Sequence, residues 1–205
     1  MTRVSGTEGY AAEAASLLAQ YESITFQQAQ SSVLHLIPSG PCRVLDIGAG
    51  TGRDAAGFAA LGHRVVAVEP TDELRGAAMA LHPDPNIEWV DDGLPDLARL
   101  AAHDAFDVIM LTAVWMHLDE AQRCRAIPRV ARLSAPGGVM IMSLRYGPVP
   151  PGRRMFSVSA AETIRLAEAE GLVLKLNQSH LDGVFKRPGV SWTRLAFARP
   201  PVPAI

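Results

Sequence analysis

Val44-Leu45-Asp46-Ile47-Gly48-Ala49-Gly50-Thr51-Gly52, residues 44–52, is the stretch on which the fold turns. Arg43 to Ile47 is a short, mostly apolar run, the pattern of a buried strand. Three glycines at alternate positions then let the backbone bend tightly and approach a ligand that a Cβ would hold away. From Arg53 the composition turns helical as far as Leu61-Gly62. A strand, a glycine turn and a helix in that order form a nucleotide-binding type of unit, and the context makes the glycine pattern specific. The next strand, Val65 to Val68, ends at an acid, Glu69.

The pattern repeats outward. Thr71, followed by Asp72 and Glu73, has N-cap chemistry. Ile87 to Val90 reads as a third strand, Pro95 to Ala102 as a short helix, and Phe106 to Leu111 as a fourth strand. Asp119 and Gln122 have capping-box spacing for a helix to Leu133, with Pro128 expected to kink or shorten it. Gly137-Gly138 leads into a fifth strand, Val139 to Leu144. Ser159 and Glu162 open a helix that stops at Gly171, and Leu172 to Leu176 and Trp192 to Ala198 form a closing antiparallel pair. Before all this, Glu8 to Ala19 and Phe26 to Ile37 read as two helices, ended by Pro38-Ser39-Gly40-Pro41. Strands alternating with helices predict an α/β fold with a parallel sheet.

Composition narrows the function. The 205 residues are 48% hydrophobic and 20% charged, the range of one globular domain. Nineteen Lys and Arg against 21 Asp and Glu give a net charge of −2, so there is no basic surface for nucleic acid or an anionic membrane. Cys42 and Cys124 are too few for a disulfide framework and lack metal-ligand spacing, so no metal is expected. With no apolar run of membrane-spanning length and no signal core, the expectation is a cytoplasmic protein acting on a small molecule.

The glycine turn admits two cofactor chemistries. A dinucleotide site wants Gly or Ala at the sixth position of the pattern, where this chain has Arg53. Asp46, two residues before the first glycine, repels a pyrophosphate and suits a cation. S-adenosylmethionine carries a sulfonium and an ammonium and no phosphate. Residues 44–52 resemble the first motif of the class I S-adenosylmethionine-dependent methyltransferases, and the likeness in element order extends over about residues 40 to 199.

That resemblance implies a Rossmann-like, seven-stranded, mostly parallel sheet with an antiparallel last strand and helices on both faces. It implies three segments: an N-terminal helical lid (1–40), the methyltransferase domain (41–199) and a Pro-rich tail (200–205). By position, Gly48, Ala49, Gly50 and Gly52 would line the cofactor's methionine and ribose, with Asp46 near its amino group. Glu69, with Pro70 after it, resembles the acid that takes both ribose hydroxyls, as carboxylate acceptors suit a vicinal diol. Asp92, or Asp91 if the strand ends earlier, would accept from the adenine amino group, and Gly93 would offer its N–H. Leu111 and Thr112 end the fourth motif, beside the transferable methyl. His117 is a candidate general base, or alternatively a structural brace for the loop or helix beside it. Tyr21 belongs to the lid and is a candidate for substrate contact. Arg145 and Arg153, in the Pro-rich loop after the fifth strand, are candidates for gripping a carboxylate or phosphate. Two other readings stay open at this level: a nicotinamide-dependent reductase, and a binding module that keeps the cofactor site without catalysis.

Overall fold

The first strand is buried on both faces because its residues alternate between two cores that the surrounding chain supplies. The computed structural model describes residues 4–202. In chain order the elements are α1 (Ala14–Tyr21), α2 (Phe26–Gln30), β1 (Arg43–Ile47), α3 (Arg53–Ala60), β2 (Arg64–Val68), α4 (Asp72–Leu81) and β3 (Ile87–Val90). They continue with β4 (Phe106–Leu111), α5 (Glu120–Leu133), β5 (Ser134–Tyr146), α6 (Ala160–Ala169), β6 (Val173–Asp182) and β7 (Ser191–Ala198).

The sheet has seven strands in the order β3-β2-β1-β4-β5-β7-β6. Strands β1 to β5 are parallel, and β7 runs antiparallel between β5 and β6. On one face Leu45, Ile47, Ile109, Leu111 and Met142 meet Ile127 and Val130 of α5 and Ala167 of α6. On the other, Val44, Val65, Val108 and Met110 meet Ala55 and Phe58 of α3 and Phe26 of α2. The expected fold class is therefore the observed one.

Several local expectations need correction. The helix expected over Pro95–Ala102 is a single 3-10 turn, Ala98–Leu100, preceded by Leu97 at a φ of +45°. Leu97 and Leu100 are both fully buried, and seating both side chains overrides helical continuation. The prelude is broken as well. Helix α2 stops at Gln30 and a 3-10 turn covers Leu34–Leu36, while Glu8–Ala19 becomes a 3-10 turn at Ala11–Glu13 followed by α1. Pro128 does not shorten α5, which runs unbroken to Leu133. The carbonyl that loses its partner belongs to Cys124, an exposed residue on the solvent side of the helix. Gly137 and Gly138 lie inside β5, which begins at Ser134. The β4–β5 register shifts there, and a Cβ on Gly138 would sit 2.9–3.0 Å from three carbonyl oxygens. Thr71 occupies the N-cap of α4 without a side-chain cap bond. Of the Pro-rich tail, residues 203–205 lie outside the described part of the chain.

Candidate functional site

The carboxyl ends of the parallel strands open onto a cavity of about 440 Å³, covered by residues from the N-terminal segment and α2. Its floor is the turn after β1. Gly48, Gly50 and Gly52 all have positive φ, +70°, +58° and +84°. The N–H groups of Gly48 and Ala49 both donate to the carbonyl of Val68, at 2.8 and 2.9 Å, which ties the turn to the end of β2. A Cβ on Gly50 would find no atom closer than a carbonyl at 4.0 Å, so its bare face is open to the cavity. Gly52 differs: a Cβ there would lie 2.8 Å from the Trp89 ring and 2.9 Å from His82, and Gly52 does not line the cavity. Its place is in packing rather than contact.

Acids gather around this turn. Asp46 is 2% exposed, and its Oδ2 has no hydrogen-bond partner. Burial first, and then the neighbouring Asp54 carboxylate, raise its pKa well above the usual range. Glu69 is also buried, and burial raises its pKa against several bonds that favour the anion. Glu69 Oε2 accepts from the N–H of Gly50 at 2.9 Å and Oε1 from that of Thr71 at 2.8 Å. Each oxygen keeps a second lone pair for another donor.

Asp54 was not anticipated from sequence. It accepts from Arg53 Nε at 2.8 Å and from Gln30 Nε2 at 2.5 Å, and Thr112 Oγ1 donates to it at 3.2 Å. This buried cluster ties α2, the glycine turn and the end of β4 together. An acid in the first turn of a helix reads as helix-dipole pairing, which concealed it.

At the far side of the cavity, Tyr10 and His117 meet. His117 Nδ1 lies 2.8 Å from the carbonyl of Arg154, which only accepts, so that nitrogen carries the proton. Nε2 therefore accepts from the Tyr10 hydroxyl at 3.0 Å. Burial lowers the pKa of His117, so the ring is neutral at pH 7. The Arg153 guanidinium lies 4.0 Å from the centroid of the Tyr10 ring.

Of the residues expected at the site, Asp46, Gly48, Ala49, Gly50, Glu69, Pro70, Gly93, Thr112, His117, Tyr21 and Arg145 line one cavity. Four do not. Gly52 packs behind the turn. Leu111 is fully buried in the core. Asp92 turns its carboxylate to its own backbone, accepting from Gly93 N–H at 2.8 Å and Arg99 N–H at 2.7 Å, and Asp91 pairs with Arg75 at 3.3 Å. Arg153 donates to Glu13 at 2.7 Å instead of reaching the cavity. Arg194, on β7, also lines the cavity and was missed, because a lone arginine in a strand carries no signal.

Residues 44–138 match the family model described as a methyltransferase domain. An uncharacterised methyltransferase of Mycobacterium tuberculosis is 34% identical over 104 residues, 50% of this chain and 40% of that protein. The chain thus spans less than half the length of that curated relative. Among solved structures, a 1,6-didemethyltoxoflavin-N1-methyltransferase of Burkholderia thailandensis, crystallised with S-adenosylhomocysteine, superposes with a TM-score of 0.73 at 21% identity. The overlap covers 93% of this chain and 85% of that one. The [4+2]-cyclase SpnF has the same fold at a TM-score of 0.72 and 15% identity, covering 94% of this chain and 95% of its own. Residues 44–138 thus match a methyltransferase domain, and the seven-stranded sheet around them has the fold of the superposed structures.

Proposed function

We propose that the chain transfers the methyl group of S-adenosylmethionine to a small-molecule acceptor. The observation that carries the reading is the buried, unpartnered carboxylate oxygen of Asp46 beside a turn whose Gly50 is open to the cavity. An acid buried without a partner is costly, and a cationic ligand removes that cost. Asp54 is already paired with Arg53 at 2.8 Å, while the buried acceptor oxygens of Asp46 and Glu69 oppose a pyrophosphate and fit an ammonium and a diol. Asp46 would take the amino group, Glu69 the ribose diol through its free lone pairs, and Gly93 the base through its backbone. When bound, the cofactor supplies a methyl on a sulfonium that departs as a neutral thioether.

The remaining work falls to the protein. Tyr10, His117 and the covering segment hold the acceptor and exclude water. A proton released by the acceptor passes to the Tyr10 oxygen as the Tyr10 hydroxyl gives its own to Nε2 of His117. The neutral imidazole, oriented by its Nδ1 bond to Arg154, is the terminal base.

Titration of the full chain with S-adenosylhomocysteine, followed by label transfer from methyl-labelled cofactor into a metabolite extract, tests this. Binding and transfer are expected, with Tyr10→Phe and His117→Asn each lowering turnover by about 10²-fold at unchanged homocysteine-derivative affinity. Absence of binding overturns the cofactor assignment. Binding without transfer to any acceptor overturns the enzymatic one and leaves a binding module.

A further inference from the structure

The cavity is electrically divided. Asp46, Asp54 and Glu69 surround the glycine turn together with Arg53 and Arg194, while Arg145, Lys186 and Arg187 line the cavity elsewhere, with exposed Asp182 at the rim. Arg145 stands on β5 one position along the same face from Ser143, opposite Trp192 in the β5–β7 register. The residue is 8% exposed. Nη2 donates to the carbonyl of Pro148 at 2.8 Å, Nη1 lies 3.9 Å from the sulfur of Met155, and Nε has no partner. The charged and titratable groups that act on it are Arg187, Tyr10 and Tyr21, with no carboxylate among them.

A buried guanidinium ordinarily has an anion beside it, because isolated burial of the charge is strongly unfavourable. Here the charged group that acts on it most strongly is another cation, Arg187. Arg187 reaches the same wall from the loop between β6 and β7, its Nη2 on the side-chain oxygen of Gln20 at 2.7 Å. The carboxylate on this side, Asp182, is exposed at the rim and makes no ion pair among the described residues. Aromatic surface flanks the cations, with Tyr21 and Phe185 stacked at 6.1 Å and Trp192 beside them in the cavity lining. Arg194 is a separate matter, since its charged neighbours are Asp54 and Arg53 at the turn.

We infer that the methyl acceptor is an anion, a ring-bearing molecule whose carboxylate or phosphate is held by Arg145 with Arg187 at the mouth, against the Tyr21, Phe185 and Trp192 surface. This rests on the methyltransferase reading only in naming that molecule the acceptor; the anion site stands on the cation pair itself. Arginine suits both oxyanions through directional N–H bonds. Ring and anion together would fix which acceptor atom faces the Tyr10–His117 pair.

The test uses the full chain saturated with S-adenosylhomocysteine and four probes in calorimetric titration: benzoate, phenyl phosphate, and their neutral counterparts benzamide and benzyl alcohol. At least one anion is expected to bind 10-fold or more tighter than its neutral counterpart, and which anion wins tells carboxylate from phosphate. Arg145→Gln is expected to remove that preference and Arg187→Gln to reduce it several-fold, with S-adenosylhomocysteine affinity unchanged in both. Retained nucleoside binding shows that Arg145→Gln folds, and exposed Arg187 supplies a second variant that does not disturb the core. Equal binding of anions and neutral probes overturns the inference. So does a loss of S-adenosylhomocysteine affinity in Arg145→Gln, which would assign the guanidinium to the cofactor's own carboxylate. Anion binding by a protein that ignores S-adenosylhomocysteine would sink the methyltransferase reading and leave the anion site standing.

Discussion

Asp46 shows how a single residue trades stability against binding. Its folded pKa is raised, so the folded chain holds a proton more tightly than the unfolded chain does. The resulting stabilisation is complete below the unfolded value of about 3.9 and is lost as pH rises through the raised folded value. Above that value the apo protein carries a buried, unpaired anion. Asp46→Asn is therefore expected to stabilise the apo protein at pH 7 by on the order of 1 kcal/mol and to flatten its stability-pH profile. The same change is expected to weaken S-adenosylhomocysteine binding about 10-fold, since a charge-assisted bond becomes a neutral one. Thermal melts at several pH values and calorimetry check both halves, and a destabilised apo variant with intact affinity would contradict the assignment. Asp46 and Glu69 were legible in sequence because strand ends fix where those acids emerge. Asp92 lies off the cavity lining, its carboxylate turned to the backbone of residues 93 and 99, a choice made by loop geometry that spacing does not encode.

Between elements, the contact of α2 with α3 depends on an absent side chain. A Cβ on Gly57 would lie 2.2 Å from the Phe26 ring. On an exposed helix, Gly→Ala gains up to about 1 kcal/mol of propensity. Here overpacking costs about 1–3 kcal/mol and more than offsets that gain. Gly57→Ala is expected to lower stability by about 1–2 kcal/mol in urea denaturation, and an increase would show that α2 is free to move aside. Capping signals were the readable part at this scale. Asp119 and Gln122 make a full reciprocal box. Ser159 accepts from the N–H of Glu162, but the Glu162 carboxylate goes to Arg123 at 2.9 Å instead of back to the cap. Gly171 closes α6 with paired bonds, its own N–H to Glu168 and that of Leu172 to Ala167. The broken prelude was not readable, because Gln30 leaves helical continuation where its amide is held by Asp54, 24 residues away.

Across the whole molecule, the N-terminal segment is fastened over the cavity by the loop that follows β5. Arg153 joins Glu13, stacks on Tyr10 and lies 3.5 Å from the carbonyl of Glu8, while Arg154 bonds Ser5. From the other side Thr51 donates to Glu22 at 2.5 Å. One small apolar cluster, Ala14 and Leu17 against Leu74 of α4 with Tyr10 and Tyr21 beside them, also holds this cover, so the polar latch shares control of its opening. Arg153→Ala is expected to raise amide exchange across residues 5–21 at least several-fold while β1, β4 and β5 keep their protection. Unchanged exchange there, with a raised KM for the acceptor, would return Arg153 to the substrate-binding role that its position in sequence implied.

The chain's linear order by itself determined the α/β class, the glycine turn and the two acids flanking it, because strand period, glycine backbone freedom and helix capping act over a few residues. Only the tertiary structure decided which side chains share the cavity. Tyr10 meets His117 across 107 positions of sequence, and Arg145 is left without a counter-ion while Arg153 has one. Burial and electrostatic pairing depend on what every other segment brings to a point in space, and no local pattern carries that information.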